Sequence, residues 1–392
     1  MNLGHHLPRP RRLALGGAAL GVIAMAGIFA NGCASFGRRP DGGHRARIER
    51  SPQWKEGRFE NPEPLVNDML GAMTGFFRAS PHRNPEQPLP TVRVDPALFS
   101  TPPASGLRVT WLGHSSFLIE IDGHRVLTDP AWGERSSPFT WAGPKRWFPA
   151  PLSLAGLPPL DAVLISHDHY DHLDRATIVA MKDVQTSFIV PLGVGSHLEY
   201  WGVPRERIVE LDWWGEARVR ELGIVATPAR HASGRLFGGN PTLWAGFALV
   251  GRQHRAYYSG DTGLFPGLRD IGQRLGPFDV TLIEAGAYGR YWPDWHLGPE
   301  QAVIAHGLVR GRVMLAAHWG TFNLAFHGWT EPIERVLVAA RKSGATVVVP
   351  KPGESVEPAA PPALVRWWPD LPGQTAEQDP IVSSKMDGAG TL

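Results

Sequence analysis

The stretch Ser166-His167-Asp168-His169-Tyr170-Asp171-His172-Leu173-Asp174 limits this chain more than any other. Three histidines and Asp171 fall within six residues, directly after the run 161–166, which reads as a buried strand. No single helix face carries such a set, because neighbours one and two apart point in different directions. A loop at a strand end must therefore turn these side chains inward. Neutral imidazole and carboxylate suit zinc, and no thiol is required. A packing or solvent-facing role would account for any one histidine. It does not account for this density.

Three later residues share the setting. His231 follows a strand ending at Thr227, Asp261 one ending at Ser259, and His318 one ending at Ala317. Function concentrates on loops held over a rigid sheet. Alone, Asp261 would serve as a turn residue in Gly260-Asp261-Thr262-Gly263; within the set it reads as a ligand.

The surrounding pattern predicts the scaffold. Runs at 109–112, 117–121 and 125–128 predict a meander with a tight turn at Asp122-Gly123. Further strands are predicted over 161–166, 223–227, 247–250, 256–259, 280–284, 313–317 and 346–349, and helices over 175–182, 299–308 and 332–343. Meanders combined with β–α alternation predict an α/β (α+β) chain of two sheets with helices outside. Charged residues are 19% and the net charge is +2, so no nucleic-acid partner is indicated.

The N-terminus has its own logic. Arg9, Arg11 and Arg12 precede an uncharged apolar run over 13–30, and Ala30-Asn31-Gly32-Cys33 follows. This predicts residues 1–33 as an export signal. Cys33, the one cysteine, stands where a bacterial lipoprotein receives lipid, and it leaves no intrachain disulfide. The expected location is periplasmic or outer-membrane-associated, with an anchor through Cys33; ordinary secretion or an uncleaved membrane anchor is the plainer reading. Residues 34–60 read as a flexible tether, 61–106 as an N-terminal wrap with a helical stretch at 65–77, 107–355 as the main folded domain, and 356–392 as an irregular tail, ragged from Gln374.

Several motifs keep their order over 107–355. They are Thr110-Trp111-Leu112-Gly113-His114, Leu127-Thr128-Asp129-Pro130, Gly143-Pro144-Lys145-Arg146, the 161–174 stretch, Glu210-Leu211-Asp212-Trp213-Trp214, Gly260-Asp261-Thr262-Gly263, Gly276-Pro277-Phe278-Asp279, Gly286-Ala287-Tyr288 and His318-Trp319-Gly320-Thr321-Phe322. In these the chain resembles the metallo-β-lactamase superfamily. Within it, the chain is similar to the N-acyl phosphatidylethanolamine phospholipase D family and its bacterial RomA-like relatives. The resemblance implies an αββα sandwich of the metallo-β-lactamase fold with two zinc ions per chain. His167, His169 and His231 would hold one zinc, Asp171, His172 and His318 the other, and Asp261 would bridge. It implies hydrolysis of a phosphodiester by a zinc-bridging hydroxide, with Asp171 also orienting the nucleophile. The chain departs from the family around 235–242 and 290–295, loops that would border the substrate.

His296 stands just before the predicted helix start at Pro299, where free N–H groups and partial positive charge favour phosphate. It reads as a phosphate contact or leaving-group acid, against a plain capping role. His114 reads as an outer-shell group or a core hydrogen bond, Asp129 as a brace for the histidine loop, and Tyr288 as a site or packing residue. Trp132, Trp141, Trp147, Trp292 and Trp295 lie in predicted loops and suit a lipid-facing edge, or else cover the sandwich ends. Expected partners are a phospholipid or other small-molecule substrate and a membrane surface, and a homodimer is compatible with the chain. A lactonase or another ester or amide hydrolase fits the same site. A non-catalytic zinc-binding lipoprotein fits less well, since a closed structural site has four ligands. The His-rich, Glu-free shell favours zinc over iron or manganese.

Overall fold

The computed structural model describes residues 32–235 and 239–384. Ahead of the sheets lie α1 (Gly42–Ile48) and α2 (Met69–Gly75). The first sheet runs β14 (Ser355–Val356), β1 (Leu107–Gly113), β2 (Ser116–Ile121), β3 (His124–Thr128), β4 (Ala162–Leu164), β5 (Ser187–Pro191) and β6 (Ile208–Leu211), in that spatial order. The second runs β13 (Thr346–Val348), β12 (Gly311–Ala317), β11 (Phe278–Glu284), β10 (Arg255–Tyr258), β9 (Gly246–Val250), β8 (Leu222–Thr227) and β7 (Glu216–Val219). Both are built alike. An antiparallel meander, β1 to β3 or β7 to β10, continues into parallel strands.

Parallel neighbours require crossovers, and α-helices supply all but the one from β3 to β4, which runs as a long loop. They are α3 (Arg175–Met181) after β4, α4 (Gly195–Tyr200) after β5, α5 (Gly267–Arg274) after β10, α6 (Pro299–Leu308) after β11 and α7 (Glu331–Ser343) after β12. The β2–β3 turn is the predicted two-residue Asp-Gly loop. Both residues have positive φ, 48° at Asp122 and 80° at Gly123, as a type I′ turn demands.

The strand period of two decides the layers. In the first sheet Trp111, Phe117, Ile119, Val126, Leu164 and Ile189 face the second sheet's Ile224, Phe247, Leu282 and Leu315 in one core. Their neighbours Leu112, Leu118, Leu127, Val163, Phe188 and Val190 face outward, onto Ile178 and Met181 of α3 and Leu198 of α4. Both faces of this sheet are dry, so its strands read as unbroken apolar runs. This is the αββα arrangement of the metallo-β-lactamase fold.

Two sequence expectations are corrected. Residues 34–60 are not a free tether. Ile48 is fully buried, and His44 Nδ1 and Nε2 lie 2.9 Å from Glu210 Oε2 and 2.9 Å from Glu199 Oε2. Arg47 Nε also donates to Glu210 at 2.9 Å, and Trp201 Nε1 donates to the Ala34 carbonyl at 2.8 Å. The Arg-rich composition reads as solvated because its acidic partners lie some 160 residues downstream. The tail is irregular, with no helix or strand past Val356 among the described residues, yet it docks beyond Gln374. Ser384 N donates to Asp294 Oδ1 at 2.8 Å, and Gln301 Nε2 to the Ile381 carbonyl at 3.1 Å. Residues 1–31 of the predicted 1–33 signal lie outside the described residues; Cys33 is exposed. Among the described residues no helix is long and apolar enough to cross a membrane.

The docked N-terminus makes a pH prediction. The Glu210 hydrogen bond, outweighing burial and aided by Glu199, raises the His44 pKa above 6.5. Its stabilisation is therefore complete below pH 6.5 and is lost as pH climbs through the raised value. Proteolysis within 34–60 should be faster at pH 9 than at pH 6. His44→Ala should abolish that difference and cost about 1–3 kcal/mol in denaturant unfolding.

Candidate metal centre

Strand direction builds the site. In the first sheet β1, β3 and β4 point the same way, so His114, Asp129 and the loop 166–172 leave one edge. In the second sheet β8, β10, β11 and β12 share a direction, so His231, Asp261, Glu284 and His318 leave one edge as well. The two edges meet. Three of these residues, His114 (φ 54°), Asp129 (φ 33°) and His318 (φ 62°), hold left-handed backbone that non-glycine residues avoid. Such strain costs about 1–3 kcal/mol each and persists where the surroundings impose it.

His167, His169 and His231 converge as one group, and His114, Asp171, His172 and His318 as a second. In the first, His169 Nδ1 lies 2.9 Å from His167 Nε2 and 3.3 Å from His231 Nε2. In the second, Asp171 Oδ2 lies 3.3 Å from His172 Nε2 and 3.1 Å from His318 Nε2. Asp261 Oδ2 stands between them, 3.1 Å from both His172 Nε2 and His318 Nε2 and 3.8 Å from both His167 Nε2 and His231 Nε2. All seven sequence-predicted ligands are thus brought together. His296 Nδ1 is also 3.8 Å from Asp261 Oδ2.

The donor set fits a pair of cations. Tetrahedral zinc with bonds of about 2.0–2.1 Å sets its nitrogens about 3.3–3.4 Å apart, close to the spacing of the first trio. His172 Nε2 and Asp261 Oδ1 are buried without a hydrogen-bond partner. Burial holds His167, His169 and His231 below 6.5, which leaves neutral lone pairs. In the second group burial is overcome: Asp261 and Asp171 lift His318 to about 10 and His172 well above 6.5. That concentration of carboxylate charge suits a divalent ion.

Supporting contacts orient several of these ligands. Asp129 Oδ2 accepts from His172 Nδ1 at 2.6 Å and from Ser166 Oγ at 2.5 Å, and Oδ1 accepts from Ser166 N at 2.7 Å. Tyr258 OH of the second sheet donates to the same carboxylate. His231 Nδ1 donates to the Trp295 carbonyl at 2.8 Å, which turns Nε2 inward. His114 takes the outer position, with Nε2 2.9 Å from Asp171 Oδ2. Tyr288 turns away to pack; its hydroxyl donates to Glu331 Oε1 at 2.7 Å.

The sequence reading passed over three groups. Asn61, in the N-terminal wrap, clasps His231 by donating to its carbonyl at 2.7 Å and accepting from its N–H at 3.1 Å. Arg235 is buried and donates to the Asp168 and Leu173 carbonyls at 2.7 and 2.8 Å, bracing the histidine loop. Glu284 is fully buried, bonded to Thr262 N, with Oε2 2.7 Å from His296 Nδ1. Burial and the Asp261 charge hold Glu284 well above 4.5, and burial holds His296 down to about 4. Glu284 also groups with Asp261, His296 and His318, so the cluster is not Glu-free and that argument for zinc falls. A carboxylate ending the buried strand 278–284 was the available signal.

Asp129 sets a quantitative expectation. Asp129→Ala should weaken metal binding 10–100-fold in competition with a chelator. It should also destabilise the fold by about 3–5 kcal/mol, because it strands buried donors from both sheets.

The comparisons agree with this geometry. The β-lactamase superfamily domain matches residues 124–319. An uncharacterised protein of Mycobacterium tuberculosis is 49% identical over 335 residues, covering 83% of this chain and 89% of that one. The N-acyl-phosphatidylethanolamine-hydrolyzing phospholipase D 1 of Caenorhabditis elegans is 36% identical over 291 residues, 68% of this chain and 81% of that one. The isothiocyanate hydrolase from Delia radicum gut bacteria shares the fold, with TM-score 0.50 at 20% identity over 64% of this chain and 98% of that one. On its site, its fold and these relatives, the chain belongs to the metallo-β-lactamase superfamily, as a metal-dependent hydrolase.

Proposed function

We propose that this chain is a two-zinc phosphodiesterase of phospholipase D type acting on N-acyl phosphatidylethanolamine-like lipids. The observation that carries the reading is Asp261 Oδ2, placed between a three-histidine set and an Asp171–His172–His318 set. That donor set suits two metals rather than one closed structural ion. The nematode relative supplies the substrate class by its name and its 36% identity.

Bound as a pair, zinc ions would make hydroxide available near neutral pH and offset the charge of a phosphodiester. The chain's own residues supply the rest. Asp171 faces the second ligand set with one oxygen and, braced by His114 Nε2 at 2.9 Å, orients the nucleophile. His296 keeps Nδ1 on Glu284 and lies just ahead of α6, so its ring can carry a proton to the leaving oxygen. The α6 N-terminus adds partial positive charge beside it.

An exposed apolar patch supports the lipid reading. Leu70 and Met73 of α2, with Phe76 and Phe77 just after it, are all more than half exposed. The start of α2 is tied to the 290–295 loop, since Asp68 N donates to the Tyr291 carbonyl at 2.7 Å. Bulky apolar side chains left in water are a signature of membrane contact.

Two measurements test the proposal. Elemental analysis should find about two zinc per chain, and Asp261→Ala should lower turnover by about 10³-fold or more while the protein stays folded, since losing one outer partner already costs 10–100-fold. On a panel of an N-acyl phospholipid, bis-p-nitrophenyl phosphate, a lactone and a β-lactam, the N-acyl phospholipid should be preferred. Preference for the lactone would overturn the phosphodiesterase reading.

A further inference from the structure

Asp168 stands between the ligands His167 and His169, yet it belongs to none of the ligand groups. Its side chain is fully buried, and a buried carboxylate has to be met by donors. Gly234 N donates to Oδ1 at 2.7 Å, and His197 Nε2 lies 3.3 Å from Oδ2. The tautomer of His197 follows from its other nitrogen. Arg38 N donates to Nδ1 at 3.0 Å, so Nδ1 carries no proton and Nε2–H is the donor to Asp168. The ring is buried and stacks on Trp201 at 5.8 Å, which restrains its rotation.

A second line runs from the same N-terminal segment to the same loop. Arg235 Nε donates to the Ser35 carbonyl at 2.8 Å. Its Nη1 donates to the Asp168 and Leu173 carbonyls at 2.7 and 2.8 Å, one within the run of ligands and one just past it. Residues 34–38 are pinned in turn. The Ala34 carbonyl accepts from Trp201 Nε1 at 2.8 Å, and the Arg38 carbonyl accepts from Ser196 Oγ at 2.9 Å. Gly37 permits the close approach: its φ is 70°, and a Cβ there would lie 2.1 Å from His197 Nδ1. We infer that residues 34–38 are a working part of the metal centre, a strap that sets the spacing of His167 and His169 through His197, Asp168 and Arg235. Asp168 and His197 act through the two ligands beside them, as positioning residues. Partners of this kind are worth about 10–100-fold in metal affinity. The inference rests on the reading of His167 and His169 as metal ligands.

The test measures zinc affinity of the purified full chain by competition with a chelator, in variants shown to be folded by circular dichroism. His197→Phe keeps a ring against Trp201 and loses both hydrogen bonds. His197→Gln loses the ring but keeps an N–H for Asp168. The phenylalanine variant should bind zinc about tenfold or more weakly than wild type, and the glutamine variant should recover most of that loss. A space-filling role for His197 gives the opposite order, since phenylalanine fills the site better. Gly37→Ala alters no side chain of the histidine loop. It should weaken zinc binding by about tenfold as well, and it carries the test alone should the phenylalanine variant misfold. Wild type without bound zinc would remove the metal-centre reading and the strap with it. Zinc-loaded wild type beside an undiminished His197→Phe, a glutamine variant no tighter than phenylalanine, or Gly37→Ala at wild-type affinity would each overturn the strap and leave that reading intact.

Discussion

One buried carboxylate ties the two sheets together at the edge where the site is built. Asp129 leaves the end of β3 and receives Ser166, His172 and, from across the sandwich, Tyr258. The carboxylate is fully buried, so each of these bonds forms in a medium where leaving it unmade is expensive. Through His172 Nδ1 it fixes which nitrogen faces Asp261. Through Ser166 it fixes the first residue of the histidine loop, and Ser166 Oγ in turn lies 2.9 Å from His167 Nδ1. Distances between ligands in both metal groups therefore follow from one brace. Its left-handed backbone, φ 33°, is tolerated because so many bonds hold it.

The site is also where the chain departs most from ordinary core rules. Five imidazoles and two carboxylates meet with nitrogens and oxygens about 3 Å apart, and several have no donor to answer them. A core built for stability alone would not collect them. His167, His169 and His231 would offer their lone pairs to one cation, and Asp171, His172 and His318 would hold another. A metal held there would contribute to folding energetics as well as to chemistry.

Much of this was legible because the ligands follow strands whose directions agree. Residues at the ends of co-directional strands share an edge, so apolar runs ending in His231, Asp261 and His318 locate the site from residue order alone. The meander and its Asp122-Gly123 turn were legible for a similarly local reason. What stayed hidden depends on distant partners. β5 and β7 carry no motif, β6 meets one only at Glu210-Leu211, and β7 alternates exposed and half-buried residues at a sheet edge. The 34–60 segment reads as solvated until Glu199 and Glu210 are placed beside it. Glu284 reads as the last residue of a strand, and only the fold shows that His296 comes to it.

Buried charge in this protein sorts into two kinds. Arg108, Arg230 and Arg335 are closed by carboxylates of the same chain and stabilise its structure. In the metal groups His172 Nε2 and Asp261 Oδ1 remain open. An open buried group lowers stability by more than most single contacts raise it, so its retention points to something outside the chain that closes it.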